Sequence, residues 1–159
     1  HLARDILRFC DEARRCRSDV VFGADMIAGF PTESEQAHQA CLDMIEAAGI
    51  TYLHVFPYSS RPGTPAAIMP QLQPEIIKTR ARALRQFGAQ RLEKFLDSAV
   101  GSTDQLLVEI GNRGHGRNFA KIRLEGAVCP SGRLVDVDII GRDGDSLIGQ
   151  AHTSGAQGV

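Results

Sequence analysis

The sequence predicts an α/β fold followed by a small β-barrel, and three observations carry that expectation. Residues 20–57 run as an apolar segment, a helix-period segment and a second apolar segment, the order of a parallel sheet with a helical crossover. Both apolar runs break into Gly/Pro-rich polar loops, GADMIAGFPTE from Gly23 to Glu33 and HVFPYSSRPGTPAA from His54 to Ala67. Neighbouring parallel strands deliver such loops to one end of a sheet, where α/β folds place their ligands. After Gly101 the period shortens to alternating segments between glycine turns, as in a small antiparallel barrel or sandwich.

Taken in order, residues 2–17 are expected as a helix, because Leu2, Ile6, Phe9, Cys10 and Ala13 share one face. Arg4, Arg8, Arg14 and Arg15 are then left to solvent. Val20 to Phe30 is almost continuously apolar, broken by Gly23 and Asp25, which suits a strand buried on both faces. Thr32 and Glu35 stand at capping-box spacing, and Glu33 reads as a first-turn acid. The helix that follows puts Ala37, Cys41, Met44, Ile45 and Ala48 on one stripe, and Gly49 stops it. Thr51 to Pro57 is the second strand, parallel to the first with a right-handed crossover.

Residues 58–74 hold four prolines and form an irregular loop. From Pro74, a residue tolerated at a helix start, a basic helix is expected to about Asp97. Ile77, Leu84, Gly88, Leu92 and Phe95 line one side of it. Barrel strands are expected at Gln105–Ile110, Asn118–Leu124, Leu134–Ile140 and Ser146–Gln150, with all of Gly111 to Gly116 as a turn. The domain boundary is placed near residue 99, giving parts 1–98 and 99–152 with 153–159 as a frayed tail.

At 159 residues the chain holds one ordinary domain, or a fragment plus a small module. Its formal net charge of −1 neither predicts nor excludes a polyanion partner. No apolar run approaches the roughly 20 residues a bilayer span needs, and no signal peptide is visible. The chain starts on His1 in mid-helix, so a truncated chain is expected. Cys10, Cys16, Cys41 and Cys129 lack the close spacing of zinc or iron–sulfur loops, so no metal ligand is assigned to them. They fit a reducing, cytoplasmic compartment without a disulfide framework.

Asp25 is an acid inside an apolar run, costly to bury unless paired or bound to a ligand, and both readings stand equal. Gly29, Phe30 and Pro31 leave the strand end without bulk near the backbone, open to a planar ligand or simply forming a tight turn. Tyr58, Ser59 and Arg61 follow the second strand directly. Arg61 offers a fork for a phosphate or carboxylate, and the flanking prolines favour a site over a surface arginine. His54 alternates with Tyr52 and Phe56 and reads as a core histidine. No complete catalytic set, phosphate loop or metal cluster is legible, which leaves part of an α/β ligand site joined to a small barrel.

At these residues the chain resembles the methylthiotransferase family of radical S-adenosylmethionine enzymes. GADMIAGFPTE is similar to the family's fifth barrel strand, and HVFPYSSRPGTPAA to its sixth strand and following loop. Residues 75–97 resemble its closing helix, and residues 99–150 its TRAM domain, an OB-like antiparallel barrel that engages RNA. The resemblance implies the C-terminal part of a radical (β/α) barrel, with two strands of six and an exposed, adhesive sheet edge. Arg61-Pro62-Gly63-Thr64 resembles the tRNA-modifying branches rather than the ribosomal-protein branch. Phe22-Gly23-Ala24-Asp25 and Leu53-His54-Val55-Phe56-Pro57 are most like the branch acting on N6-threonylcarbamoyladenosine at tRNA position 37, with the isopentenyladenosine branch as the alternative.

The implied reaction replaces the C2 hydrogen of that adenosine with a methylthio group. It uses S-adenosylmethionine and two 4Fe-4S clusters, whose cysteine motifs are not in this chain, so the chain alone is expected to be inactive. The resemblance further implies Asp25, Gly29, Phe30 and Pro31 beside S-adenosylmethionine, and Tyr58, Ser59 and Arg61 in the substrate pocket. In the TRAM-like part, Arg113, His115, Arg117, Phe119, Lys121 and Arg123 cluster as an RNA-contact patch with one stacking ring. That part is slightly acidic, so its grip must be one-sided, or the cluster is only a solvated barrel edge. A non-catalytic RNA-binding module remains a further alternative. The implied partners are tRNA and the missing N-terminal part of the same polypeptide, with no membrane.

Overall fold

The periodic segments form the elements they predict, and the departures come where one element meets another. The computed structural model describes residues 3–126 and 128–152, so Leu2 and the 153–159 tail lie outside the described residues. The chain divides into two compact units, His1–Leu92 and Glu93–Val159.

The first unit contains α1 (Ala3–Cys16), β1 (Phe22–Ala28), α2 (Glu35–Ala48), β2 (Ile50–Pro57), a 3-10 turn at Pro65–Ile68, and most of α3 (Pro74–Ala99). β1 and β2 pair in parallel, with Asp25 opposite His54 and Ile27 opposite Phe56. Residues of all three helices pack with Ala24, Met26, Leu53 and Val55 around a core of Cys10, Ala28, Ile45, Ala48, Ile50, Ala81 and Leu84. Gly88 lets α3 approach the sheet, since a Cβ there would lie 3.0 Å from the Leu53 Cβ.

The expectation of a strand buried on both faces is corrected. Burial alternates along β1, and Asp25 and Ile27 face outward with His54 and Phe56 of β2. Because the helices cover one face only, His54 is an exposed residue and not a core histidine. In α1, Phe9 is 65% exposed, and Ile6, Leu7 and Cys10 make the contacts instead. Arg14 is not left to solvent: it donates to the Ala48 carbonyl at 2.6 Å and lies 4.9 Å over the Phe22 ring. It thereby takes a carbonyl that the end of α2 leaves free.

The capping box on Thr32 is also corrected. Thr32 sits at φ 69°, a left-handed conformation unusual for a β-branched residue, and the N-cap is Ser34, whose Oγ accepts from the Ala37 N–H at 3.0 Å. The C-terminal stop is as expected, with Gly49 left-handed at φ 64° and its N–H bonded to Glu46.

The second unit is a closed barrel of β3 (Thr103–Ile110), β4 (Arg113–His115), β5 (Lys121–Glu125), β6 (Leu134–Asp143) and β7 (Ser146–Ala151), ordered β3-β4-β5-β7-β6. Leu106, Val108, Ile122, Leu124, Val137, Ile139 and Leu147 are buried in it. The last turn of α3 is tied to β6 by the Asp97–Arg142 ion pair. The barrel is mixed, not antiparallel as the sequence predicts: β5 and β7 run parallel while the other four pairings are antiparallel. Ring closure requires this, because five successive reversals would return a strand opposed to itself.

Nor is Gly111 to Gly116 all turn. Gly111 and Asn112, at φ 58° and 61°, make a two-residue hairpin loop, and β4 follows at once. Gly114 within β4 is required by close packing, because a Cβ there would overlap the Leu107 carbonyl. No helix among the described residues is long and apolar enough to cross a membrane.

Candidate functional site

Where β1 and β2 end, a groove of about 580 Å³ is lined by Asp25, Ile27, Phe30, Phe56, Pro57, Tyr58, Ser59, Arg61, Thr64 and Ala66. Parallel pairing puts both loops at the same end of the sheet, so Asp25, Phe30, Tyr58, Ser59 and Arg61 meet although more than thirty residues separate the first and last. Phe30 and Tyr58 stand edge to face, 5.6 Å between ring centres, and the Tyr58 N–H donates to the Ala28 carbonyl. The Tyr58 hydroxyl is buried without a hydrogen-bond partner among the described residues. Thr64 closes the second loop on the Arg61 carbonyl through its N–H at 3.2 Å and its hydroxyl at 2.8 Å. Neither the Asp25 carboxylate nor the Arg61 guanidinium has an ion-pair partner among the described residues. The groove therefore joins aromatic walls, an apolar floor, one free acid and one free cation.

Gly29 and Pro31 do not line it. Gly29 is buried at φ 76° against α3, where a Cβ would come within 2.8 Å of Ile77, and Pro31 is fully buried. On the side of Gly29 that faces α3 the space is filled by Ile77.

The residue that reasoning missed is Glu33. One carboxylate oxygen accepts the N–H groups of Gly29 at 2.7 Å and Phe30 at 3.1 Å. The other lies 3.3 Å from His38 Nδ1 and 3.4 Å from Arg80 Nη1, both nearly buried. Arg80 also donates to the Glu33 carbonyl at 2.7 Å and to Glu35 at 3.1 Å. Glu33 is thus a hub that closes the first loop and fixes Phe30, not a first-turn acid. Only a strand end whose next N–H groups, at Gly29 and Phe30, stand four and three residues before the acid hints at this. Ile27 and Phe56, the apolar floor, were likewise legible only as strand residues.

An iron–sulfur cluster does not fit the described cysteines. Cys10 belongs to the core, and burial together with the nearby Glu33 charge pushes the Cys41 thiol up, against the thiolate a cluster needs. No group of three or more His, Cys, Asp or Glu among the described residues could hold a metal ion. The groove, by contrast, brings aromatic rings together with both signs of charge.

In the second unit, Arg113, His115, Lys121 and Arg123 line one groove with Glu109, Asp143 and Asp145. Register explains it: Arg113 pairs with Arg123 and His115 with Lys121 across β4 and β5. Phe119 is 77% exposed on a left-handed turn, φ 60°, and Arg117 is held by Asp104. Neither Arg117 nor Phe119 lines the groove. Two of these side chains are already engaged, the His115 ring by Glu109 at 2.9 Å and the Lys121 ammonium by Asp145 at 2.6 Å.

No protein-family model matches the chain. It is 40% identical over 141 residues, 89% of its length, to the threonylcarbamoyladenosine tRNA methylthiotransferase of Rickettsia prowazekii. It is 33% identical over 94% of its length to the tRNA-2-methylthio-N(6)-dimethylallyladenosine synthase of Magnetococcus marinus, and 31% identical over 94% to that of Ruegeria pomeroyi. The matched segments cover 33%, 36% and 36% of those relatives, so the chain spans about a third of their length.

Proposed function

We propose, from the premise that this chain belongs to the methylthiotransferase family, that it forms the substrate-side portion of a tRNA methylthiotransferase. The reaction in this reading exchanges the C2 hydrogen of N6-threonylcarbamoyladenosine at tRNA position 37 for a methylthio group. The observation that carries it is the convergence of Asp25, Phe30, Tyr58, Ser59 and Arg61 in one groove at the ends of two parallel strands. The higher identity to the threonylcarbamoyladenosine relative favours that substrate over dimethylallyladenosine. The free guanidinium of Arg61 supports the same choice, since a threonylcarbamoyl group ends in a carboxylate and a dimethylallyl group does not.

S-adenosylmethionine, when bound, supplies the radical and methyl chemistry that a C–H to C–S exchange needs. This chain's residues bind and orient. Asp25 and Phe30 face the S-adenosylmethionine side, the carboxylate accepting from a sugar hydroxyl or an amine and the ring giving a stacking wall. Tyr58, Ser59 and Arg61 face the nucleoside, with the Tyr58 ring as a wall and the Arg61 guanidinium as the cation. Gly29 and Pro31 act through packing. The second unit serves as a TRAM-like barrel that steadies the tRNA through its Arg113–Arg123 face, the small-barrel architecture being one that OB-folds use for oligonucleotides. The cluster cysteines are supplied from elsewhere in the full-length enzyme, and the chain alone is inactive.

The test is Arg61→Ala in the full-length enzyme, scored by mass spectrometry of tRNA nucleosides. The expected result is a loss of about tenfold or more in methylthiolation with unchanged folding, as befits a lost charge-assisted contact. Undiminished modification by that variant removes Arg61 from the pocket.

A further inference from the structure

We infer that Asp145 is a built-in competitor of RNA: it occupies Lys121 in the barrel groove and must be displaced when a phosphate binds there. The inference rests on the reading that this unit contacts RNA, and it names which cation is withheld and by what. The groove of about 470 Å³ between β4, β5 and the β6–β7 hairpin holds two kinds of cation. Arg113 and Arg123 stand directly opposite each other on adjacent strands, an arrangement of like charges that destabilises a sheet unless an anion lies between them. Arg113 has no ion-pair partner among the described residues, and Arg123 has only the exposed Glu125 within ion-pair distance among them, at 4.0 Å. These two form the open anion position.

Lys121 differs. Its ammonium donates to Asp145 at 2.6 Å, and that hydrogen bond holds the Asp145 carboxyl below the usual carboxylate range. β5 and β7 run parallel with Lys121 opposite Ser146, the residue after Asp145, so the register itself brings the acid over the lysine. Both side chains are more than half exposed, so a phosphate can reach the lysine once the acid gives way. Glu109 stands on His115 in the same groove, at 2.9 Å. The groove therefore presents two ready cations and keeps Lys121 in reserve, which lowers affinity for any polyanion and favours an RNA whose shape brings a second phosphate to β5. Counterion release sets the scale: a freed lysine steepens the salt dependence by about 0.7–0.9 per phosphate contacted.

The experiment measures binding of a short RNA stem-loop to this chain across a salt series, for the wild type, Asp145→Asn, Lys121→Ala, the double variant, and Asp136→Asn. The last removes an equal charge from the groove lined by Val128, Leu134 and His152. Asp145→Asn should bind roughly fivefold tighter at 0.1 M salt with the steeper slope, and Lys121→Ala should erase that gain. An equal gain from Asp136→Asn makes the effect one of bulk charge and overturns the inference, as does no gain from Asp145→Asn. If wild-type binding is lost in Arg113→Ala with Arg123→Ala while Asp145→Asn gains nothing, RNA binding stands and only the competitor falls. If neither the wild type nor Asp145→Asn binds RNA, both fall together.

Discussion

Replacing Glu33 by Gln tests whether one carboxylate holds the candidate groove in shape. In the native loop one oxygen accepts the N–H groups of Gly29 and Phe30, and the other lies within ion-pair distance of Arg80 and beside His38 Nδ1. An amide of the same size keeps one oxygen. If that oxygen serves the two N–H groups, the new NH2 is driven against Arg80, and if it turns to Arg80 the two N–H groups lose their acceptor. Hydrogen bonds to charged groups contribute about 1.5–3 kcal/mol, so Glu33→Gln should cost about 2 kcal/mol. Glu33→Ala should cost about 3 kcal/mol. It stays near the lower end for a broken buried pair, because Arg80 keeps the residue-33 carbonyl and Glu35. Urea unfolding followed by tyrosine fluorescence reads this cleanly: the chain has no Trp, and its two tyrosines, Tyr52 and Tyr58, both lie in the first unit. A loss below about 0.5 kcal/mol for Glu33→Gln, within the scatter of ordinary surface changes, would refute the hub.

Gly114→Ala should unfold or rearrange the barrel, at a cost of about 3 kcal/mol or more, because its Cβ meets the Leu107 carbonyl rather than a side chain that can move. Hydrogen exchange at Ile122 and Leu124 checks it, and retained protection there contradicts the close approach. Burial raises Cys41, with Glu33 adding to it, and burial alone raises Tyr52, so the folded first unit keeps protons that the unfolded chain releases. Its stability should then be whole below the unfolded thiol value of 9.0 and fall as pH rises past it, by less in Cys41→Ala. Urea midpoints measured from pH 7 to 10 that stay flat, or that rise, count against this.

How much was legible follows locality. The stripe of Ala37, Cys41, Met44, Ile45 and Ala48 and the stop at Gly49 are decisions made within one helix, and α2 forms as the pattern says. The two loops that reach the groove were visible because each strand ends in its own Gly/Pro punctuation. The start of α2 was less so. Thr32 and Ser34 are both competent caps, and the choice fell to Ser34 because Glu33 turns back to the N–H groups of Gly29 and Phe30. β4 was hidden by its own glycines, which signal a turn locally but serve close packing against β3.

By itself the sequence determined the order and type of the elements, the end of the sheet at which the groove lies, and the cations of the barrel face. Only the tertiary structure decided which of these are free to act. Asp25, Ile27, His54 and Phe56 face outward because the helices of this unit cover a single face of the sheet, and no period-2 pattern states which face will be covered. The barrel contains a parallel step because five strands close on themselves, a property of the ring and not of any strand. Lys121 is withheld and Arg113 is open because register sets an acid beside one and another arginine beside the other. Charge is written residue by residue, but whether it is spent depends on neighbours distant in the chain.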